Sequence, residues 1–264
     1  MAVIKMNFLS QALGMQTNVT ICLPSFSFKD IMEKRDDVYV QGMKYQVLWL
    51  LHGGSGDDSD YVNFSNITRY ADDHKLAVVM PCDYNMYYAD FENGAKYMSF
   101  IAEELPKMMR AIFPFSDKRE DNFIGGLSMG SVGCQKIAIN YPDQYCACLA
   151  MSAGGFVPFP KDVKGGGSHI NRSGANIEDT MEKAKKLAEE GHQLPKFFMT
   201  WGDQDFTRVG HRQSCEFLQN LGYDVFVEEV PGYGHEWDFW DLTLRKAFNE
   251  WLPIKHAVIY PEDK

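Results

Sequence analysis

Short, nearly unbroken apolar blocks recur along the chain, separated by longer stretches in which apolar residues return every three or four positions. The first pattern predicts strands covered on both faces, and the second predicts amphipathic helices. Strands are expected at 17–23 (TNVTICL), 45–51 (YQVLWLL), 76–82 (LAVVMPC), 121–126 (DNFIGG), 146–152 (CACLAMS), 197–202 (FFMTWG) and 223–230 (YDVFVEEV). Helices are expected at 59–74, 96–113, 128–140, 178–191, 207–221 and 238–252, with Pro106 kinking the second or starting a new turn. Such alternation from end to end, with no internal repeat, predicts an α/β architecture: a mostly parallel sheet with helices on both faces. The one shift in composition is 155–175, GFVPFPKDVKGGGSHINRSGA, whose glycine, proline and serine density predicts a long loop leading to a charged helix. A single domain over 1–264 with a small lid-like insertion at about 155–195 is therefore expected.

Composition narrows the partners. A formal charge of −10 disfavours nucleic acid and anionic membrane surfaces, which call for clustered Lys and Arg, and fits a small neutral or cationic substrate. No apolar run approaches the ~18 residues of a membrane span, and MAVIKMNFLSQALGMQ lacks the pattern of a secretory leader, so a cytoplasmic location is expected. In that compartment the six scattered cysteines read as reduced and mostly buried, and the sequons at Asn18, Asn63, Asn66 and Asn171 carry no meaning. Neither a metal nor an organic cofactor is expected: there is no H-x-x-x-H spacing, and the CxC at 146 and 148 falls in an apolar strand.

The candidate chemistry centres on FIGGLSMGSVG, residues 123–133. GLSMG is a G-x-S-x-G pattern between a strand and a helix, the context in which a sharp turn exposes a serine and small flanking residues avoid clashes. Ser128 is thus a candidate nucleophile. A serine hydroxyl needs a general base, and the base needs an orienting carboxylate. Of the later histidines, His235 in PGYGHEWDFW lies in a glycine-flanked loop between the last strand and the C-terminal helix, whereas His169, His192, His211 and His256 read as structural or solvated. Past the strand at 197–202 stand Asp203 and Asp205; spacing alone leaves both open, one to orient His235 and the other to cap the following helix. A developing oxyanion would find the Met129 N–H, directly after the serine, and the Gly54 N–H in HGGSGDD after the strand at 45–51.

LLHGGSG, VVMPC, FIGGLSMGSVG, TWGDQDF and GYGHEWDFW, in this order, resemble the esterase family that includes esterase D, tributyrin esterases, feruloyl and acetyl-xylan esterases and the mycolyltransferases. The resemblance spans nearly the whole chain, is weakest at 155–195, and is most specific in GLSMG and in the run His235, Trp237, Trp240. It implies the α/β-hydrolase fold, Ser128 as nucleophile and His235 as base. Its G-x-x-D-F segment, matched by Gly202 to Phe206, places the acid at Asp205, and its oxyanion donor falls on Gly54. The acidic residues near Glu103 and Glu104 are read as structural. Ser131, Val132 and Gly133 follow the serine where the S-formylglutathione-hydrolysing branch has Gly and His, and that branch lacks the HGG turn. The resemblance therefore points to the tributyrin and feruloyl branch: a serine carboxylesterase acting on short-chain acyl or hydroxycinnamoyl esters, some of them carbohydrate-linked. The rivals are an acyltransferase on the same fold and a thioester hydrolase. Small esterases of this kind often assemble, so a homo-oligomer is also an expectation.

The substrate side is read from DYNMYYADFENG, residues 83–94, beyond the C-terminal end of the strand at 76–82, where ligands bind in such sheets. Tyr84, Tyr87, Tyr88 and Phe91 are candidate pocket walls or core packing. Trp237 and Trp240 stand between the same two alternatives, beside His235 or turned inward.

Overall fold

Because the central strands are covered on both faces, their residues divide by parity between two cores. Val47, Trp49 and Leu51 join one apolar cluster with Ile124, Cys148 and Met199; Leu48 and Leu50 join the other with Phe123, Leu149 and Phe198. In the computed structural model, which describes residues 1–35, 38–153 and 177–261, these strands form one eight-stranded sheet. In chain order they are β1 (Ala2–Ser10), β2 (Met15–Leu23), β3 (Val47–Leu51), β4 (Ala77–Pro81), β5 (Asn122–Leu127), β6 (Ala147–Met151), β7 (Lys196–Gly202) and β8 (Val225–Val230), and they lie side by side as β1-β2-β4-β3-β5-β6-β7-β8. β2 is antiparallel to both neighbours and all other pairs are parallel, so the sheet is mostly parallel as expected. Phe100, Leu105, Ile137, Ala184 and Leu218 carry helices onto the first face; Tyr61, Tyr70, Phe239, Leu244 and Phe248 carry helices onto the second.

Several elements depart from the sequence reading, each for a physical reason. β1 was not expected, because only one of its faces meets the core: Ile4, Met6 and Phe8 pack inward while Val3 and Leu9 are exposed. The helix expected at 59–74 is two, Asp60–Phe64 and Ile67–Asp73, with Ser65 extended between them. Asp241 in the helix Trp237–Lys246 holds the break, accepting the Asn66 N–H at 2.7 Å and its side-chain amide at 3.0 Å. Before Pro106 the backbone opens into a π-helical turn, Phe100–Glu104, then continues as Leu105–Ile112, so the proline is absorbed without breaking the run. Glu104 accepts hydrogen bonds from Ser10 Oγ and the Gln11 and Ala12 N–H groups, each at 2.8 Å, and ties this helix to the β1–β2 hairpin.

Of the segment expected as a lid, residues 155–176 lie outside the described residues. Its later part is the crossover helix Ile177–Glu189, whose buried Ala184 and Leu187 pack into the first core as an ordinary layer of the sheet.

The feature that positions the site is the junction of β5 with the helix Met129–Asn140. A Cβ on Gly126 would lie 2.4 Å from the Gly130 carbonyl oxygen, and one on Gly130 would lie 2.2 Å from the Leu51 carbonyl oxygen. Side chains are excluded there because three backbones meet. Gly130→Ala is expected to destabilise the protein by about 3 kcal/mol, the upper end for overpacking, with a matching fall in the urea midpoint.

Candidate active site

Between Leu127 and Met129 the chain turns from strand to helix in one residue, and Ser128 takes φ 52, ψ −116 to do so. That left-handed backbone is costly for a residue with a Cβ, and it lifts the hydroxyl clear of the sheet. The Ser128 N–H is held by the Met151 carbonyl at 2.9 Å. The Met129 N–H is the first amide of the helix, a position with no intrahelical acceptor.

His235 Nε2 stands 3.0 Å from Ser128 Oγ, and His235 Nδ1 stands 3.1 Å from each carboxylate oxygen of Asp205. The three side chains come from three loops at the C-terminal ends of β5, β7 and β8. Phe206 lies against the His235 ring with centroids 4.5 Å apart, and Trp240 meets it edge-on at 5.0 Å. Asp205 is fully buried. Burial alone would raise its pKa, but hydrogen bonds from His235, the Ser152 hydroxyl and Thr207 outweigh it and hold the carboxyl down to about 2. Thr207 donates from both N–H and Oγ1 to Asp205 Oδ1, at 2.8 and 2.7 Å.

The two aspartates do not divide as spacing suggested. Asp205 both contacts His235 and satisfies the start of the helix Arg208–Asn220. Asp203 is exposed and turned away; its Oδ1 accepts the Gly232 N–H at 2.9 Å, which pins the loop that carries His235.

On the other side of Ser128, the loop after β3 passes close by: a Cβ on Gly53 would meet Ser128 Cβ at 3.4 Å and the Leu127 side chain at 2.6 Å. Gly54 follows at the surface, and the Ser55 N–H donates to Asn85 Oδ1 at 2.6 Å.

The aromatic expectations separate. Tyr88 is fully buried, its hydroxyl donating to the His52 carbonyl at 2.9 Å, so its ring lines no open pocket. Tyr87 and Phe91 are half-buried against the first core, and only Tyr84 is exposed. Trp240 turns inward and its indole N–H donates to Ser152 Oγ at 2.9 Å; Trp237, half-buried, packs against Tyr61, Phe64 and Trp240 instead of facing His235. Sequence reasoning missed Ser152, which supports the site from behind by bonding Asp205, whereas His211, read there as structural or solvated, is buried and its Nδ1 accepts the Ala153 N–H at 2.9 Å. Sequence reasoning also missed His52, fully buried beneath the glycine loop. Among the described residues no cluster of three His, Cys, Asp or Glu could hold a metal, and no helix is long and apolar enough to cross a membrane.

The sequence matches the family described as "Putative esterase" over residues 10–250. It is 31% identical over 267 residues to an acetyl esterase of Caldicellulosiruptor saccharolyticus, covering 96% of this chain and 98% of that one. Among solved structures it is similar to FphF, a fluorophosphonate-binding serine hydrolase of Staphylococcus aureus (30% identity, 95% and 98% of the two chains, TM-score 0.79). It is also similar to the S-formylglutathione hydrolase FrmB of the same organism (29%, 95% and 98%, TM-score 0.78). The fold is that of the α/β-hydrolases.

Burial lowers the His211 pKa from 6.5 to about 3, with the nearby Asp205 charge opposing the shift. The unfolded chain therefore takes up a proton that the folded chain refuses, and this contribution to stability is complete above about pH 6.5 and lost as pH falls toward about 3. His211→Asn, whose side-chain oxygen can still accept the Ala153 N–H, is expected to flatten the unfolding free energy between about pH 6 and pH 4 by about 1 kcal/mol per pH unit. Urea unfolding across that range measures it.

Proposed function

Because the chain belongs to the "Putative esterase" family and is a carboxylic ester hydrolase, we propose that Ser128, His235 and Asp205 hydrolyse short-chain acyl or hydroxycinnamoyl esters through an acyl-enzyme. The observation that carries this reading is the unbroken contact line from Asp205 through both ring nitrogens of His235 to Ser128 Oγ, with Ser128 at the strained strand-to-helix turn. As Ser128 Oγ attacks the ester carbonyl, His235 Nε2 takes its proton, and the buried Asp205 carboxylate stabilises the resulting imidazolium. The Met129 and Gly54 N–H groups receive the oxyanion. Collapse of the tetrahedral intermediate breaks the bond to the alcohol, which leaves with the proton from His235. A water then gives its proton to His235 and attacks the acyl carbon, releasing the acid and restoring Ser128.

The acetyl esterase relative supports a small acyl group. The exposed Phe206 ring, packed against His235, supplies an apolar surface beside the triad suited to an uncharged ester. The S-formylglutathione hydrolase similarity supports a second reading, a small-acyl thioester, which the same acyl-enzyme chemistry would serve. The Ser131–Gly133 departure from the esterase D branch therefore does not by itself decide between oxygen and sulfur leaving groups.

With p-nitrophenyl acetate, Ser128→Ala is expected to lower kcat by at least about 10³-fold; a variant that keeps most of the wild-type rate would overturn the mechanism. Asp205→Asn should lower kcat by about 10³- to 10⁴-fold through loss of the orienting carboxylate, while Asp203→Asn, away from His235, should stay within about 3-fold. A panel of acetylated xylo-oligosaccharide, tributyrin, methyl ferulate and S-formylglutathione should give its highest kcat/KM on an oxygen ester, and a tenfold preference for the thioester would favour the second reading.

A further inference from the structure

Under the glycine loop lies a histidine that the mechanism above does not use. His52 directly precedes Gly53 and Gly54, is fully buried, and both its ring nitrogens are engaged. The Asp83 N–H points to Nε2 at 2.9 Å, so Nε2 is an acceptor. A backbone amide only donates, so the neutral ring carries its hydrogen on Nδ1. Nδ1 lies 2.7 Å from the Gly53 carbonyl oxygen and donates to it. Burial lowers the His52 pKa, which keeps the ring neutral and this tautomer in place.

We propose that His52 is the positioning residue of the oxyanion loop, holding the Gly53 carbonyl so that the N–H of the same peptide unit, that of Gly54, is aimed at the acyl oxygen. The inference rests on the reading of Ser128 and Gly54 given above and adds the group that sets their geometry. The Gly53 carbonyl and the Gly54 N–H belong to one planar trans peptide, in which the two bonds point in opposite directions. Fixing the carbonyl fixes the N–H. Gly53 has no side chain to restrict its own rotation and its neighbour Gly54 none either, so without an external hold this peptide would sample many orientations. The Gly56 N–H also reaches the Gly53 oxygen, at 3.3 Å, but it is part of the same surface loop and cannot anchor it to the core. His52 can, because its far side is locked.

That lock is the segment after β4. Asp83 accepts the Met86 N–H at 2.8 Å and the Tyr88 N–H at 2.9 Å, and Tyr88 returns a hydrogen bond to the His52 carbonyl. Lys136, on the helix that begins after Ser128, donates to the Tyr87 and Tyr88 carbonyls at 3.3 and 3.4 Å. Tyr84, Asn85, Tyr87 and Tyr88 all have positive φ, between 52 and 65. Such a run persists only where surrounding contacts over-determine it. The oxyanion loop and the nucleophile helix are thus referenced to one buried knot, with His52 as the link to the Gly53–Gly54 peptide.

Two substitutions of similar bulk separate this role from mere packing. In His52→Asn the side-chain amide ends near the place of Nδ1 and can donate to the Gly53 oxygen, but the Asp83 N–H loses its acceptor. In His52→Gln the amide ends near the place of Nε2 and can accept from Asp83, but the Gly53 oxygen loses its donor. On p-nitrophenyl acetate, His52→Asn, which keeps the donor to Gly53 but loses the Asp83 tie, is expected to lose about 3- to 10-fold in kcat and His52→Gln about 30- to 100-fold, approaching loss of one oxyanion donor, with KM within about 2-fold in both. Affinity for a phenylboronic acid, which places an anionic oxygen in the same hole, should fall in step with kcat. Equal kcat in the two variants, a more active Gln variant, or an effect confined to KM would overturn the proposal. On the wild-type protein, the ¹⁵N imidazole shifts of His52 should report hydrogen on Nδ1; hydrogen on Nε2 would overturn it whether or not the variants fold. Ser128→Ala run alongside keeps the two readings apart: an active Ser128→Ala defeats the mechanism, whereas a dead one with indistinguishable Asn and Gln variants defeats only the role of His52.

Discussion

The catalytic end of this sheet depends on a steric constraint between backbones. The first turn after Ser128 lies against the carbonyls of Leu51 and His52, at distances that leave no room for a Cβ on Gly126 or Gly130. Two consequences follow from that approach. The loop after β3 and the turn after β5 are held together by main chain, which has no rotamers, so the separation of the two backbones is set without side-chain adjustment and only the tilt of the Gly53–Gly54 peptide is left to His52. The serine must also take its left-handed conformation, because only that turn lets strand pass directly into helix at this separation.

Around this junction the polar groups are arranged in depth. His235 touches Ser128; Asp205 touches His235; and behind Asp205 stand Ser152 and Thr207, whose hydrogen bonds keep a buried carboxylate charged, with Trp240 donating in turn to Ser152. A carboxylate sealed from water with fewer donors would take up a proton and lose its hold on the imidazole. Asp203 works at one remove, pinning the His235 loop through Gly232. The pair thus serves loop geometry and ring orientation separately, although the two aspartates are only two residues apart.

What the sequence disclosed was what local pattern encodes. β3 to β7 could be read because strands sandwiched between helices must be apolar nearly throughout, and the strand, GLSMG and helix succession places Ser128 without any knowledge of distant contacts. What it concealed depends on partners far along the chain. Ser65 breaks a helix beside Asn66, whose groups are bound by Asp241. Tyr84 and Tyr88 look alike in sequence, yet one is exposed and the other is buried beneath the His52 carbonyl. The parts of His52 and His211 are defined by single amides, those of Asp83 and Ala153, which no periodicity reveals. β1 was hidden for the opposite reason: with one face in solvent, its alternation is too weak beside the denser blocks that follow.

The left-handed run from Tyr84 to Tyr88 bears on how this protein can change over time. Each non-glycine residue in that conformation costs about 1 kcal/mol relative to an ordinary one, so the folded state carries a standing strain of several kcal/mol in four residues, Tyr84, Asn85, Tyr87 and Tyr88. Glycine at the exposed Tyr84 would relieve some of it without emptying the core, making this end of the segment an easy place for chance mutation to gain stability. The same relief would slacken the knot from which the oxyanion loop takes its bearings. Selection for a hardier fold and selection for a faster enzyme would therefore pull this short stretch in opposite directions.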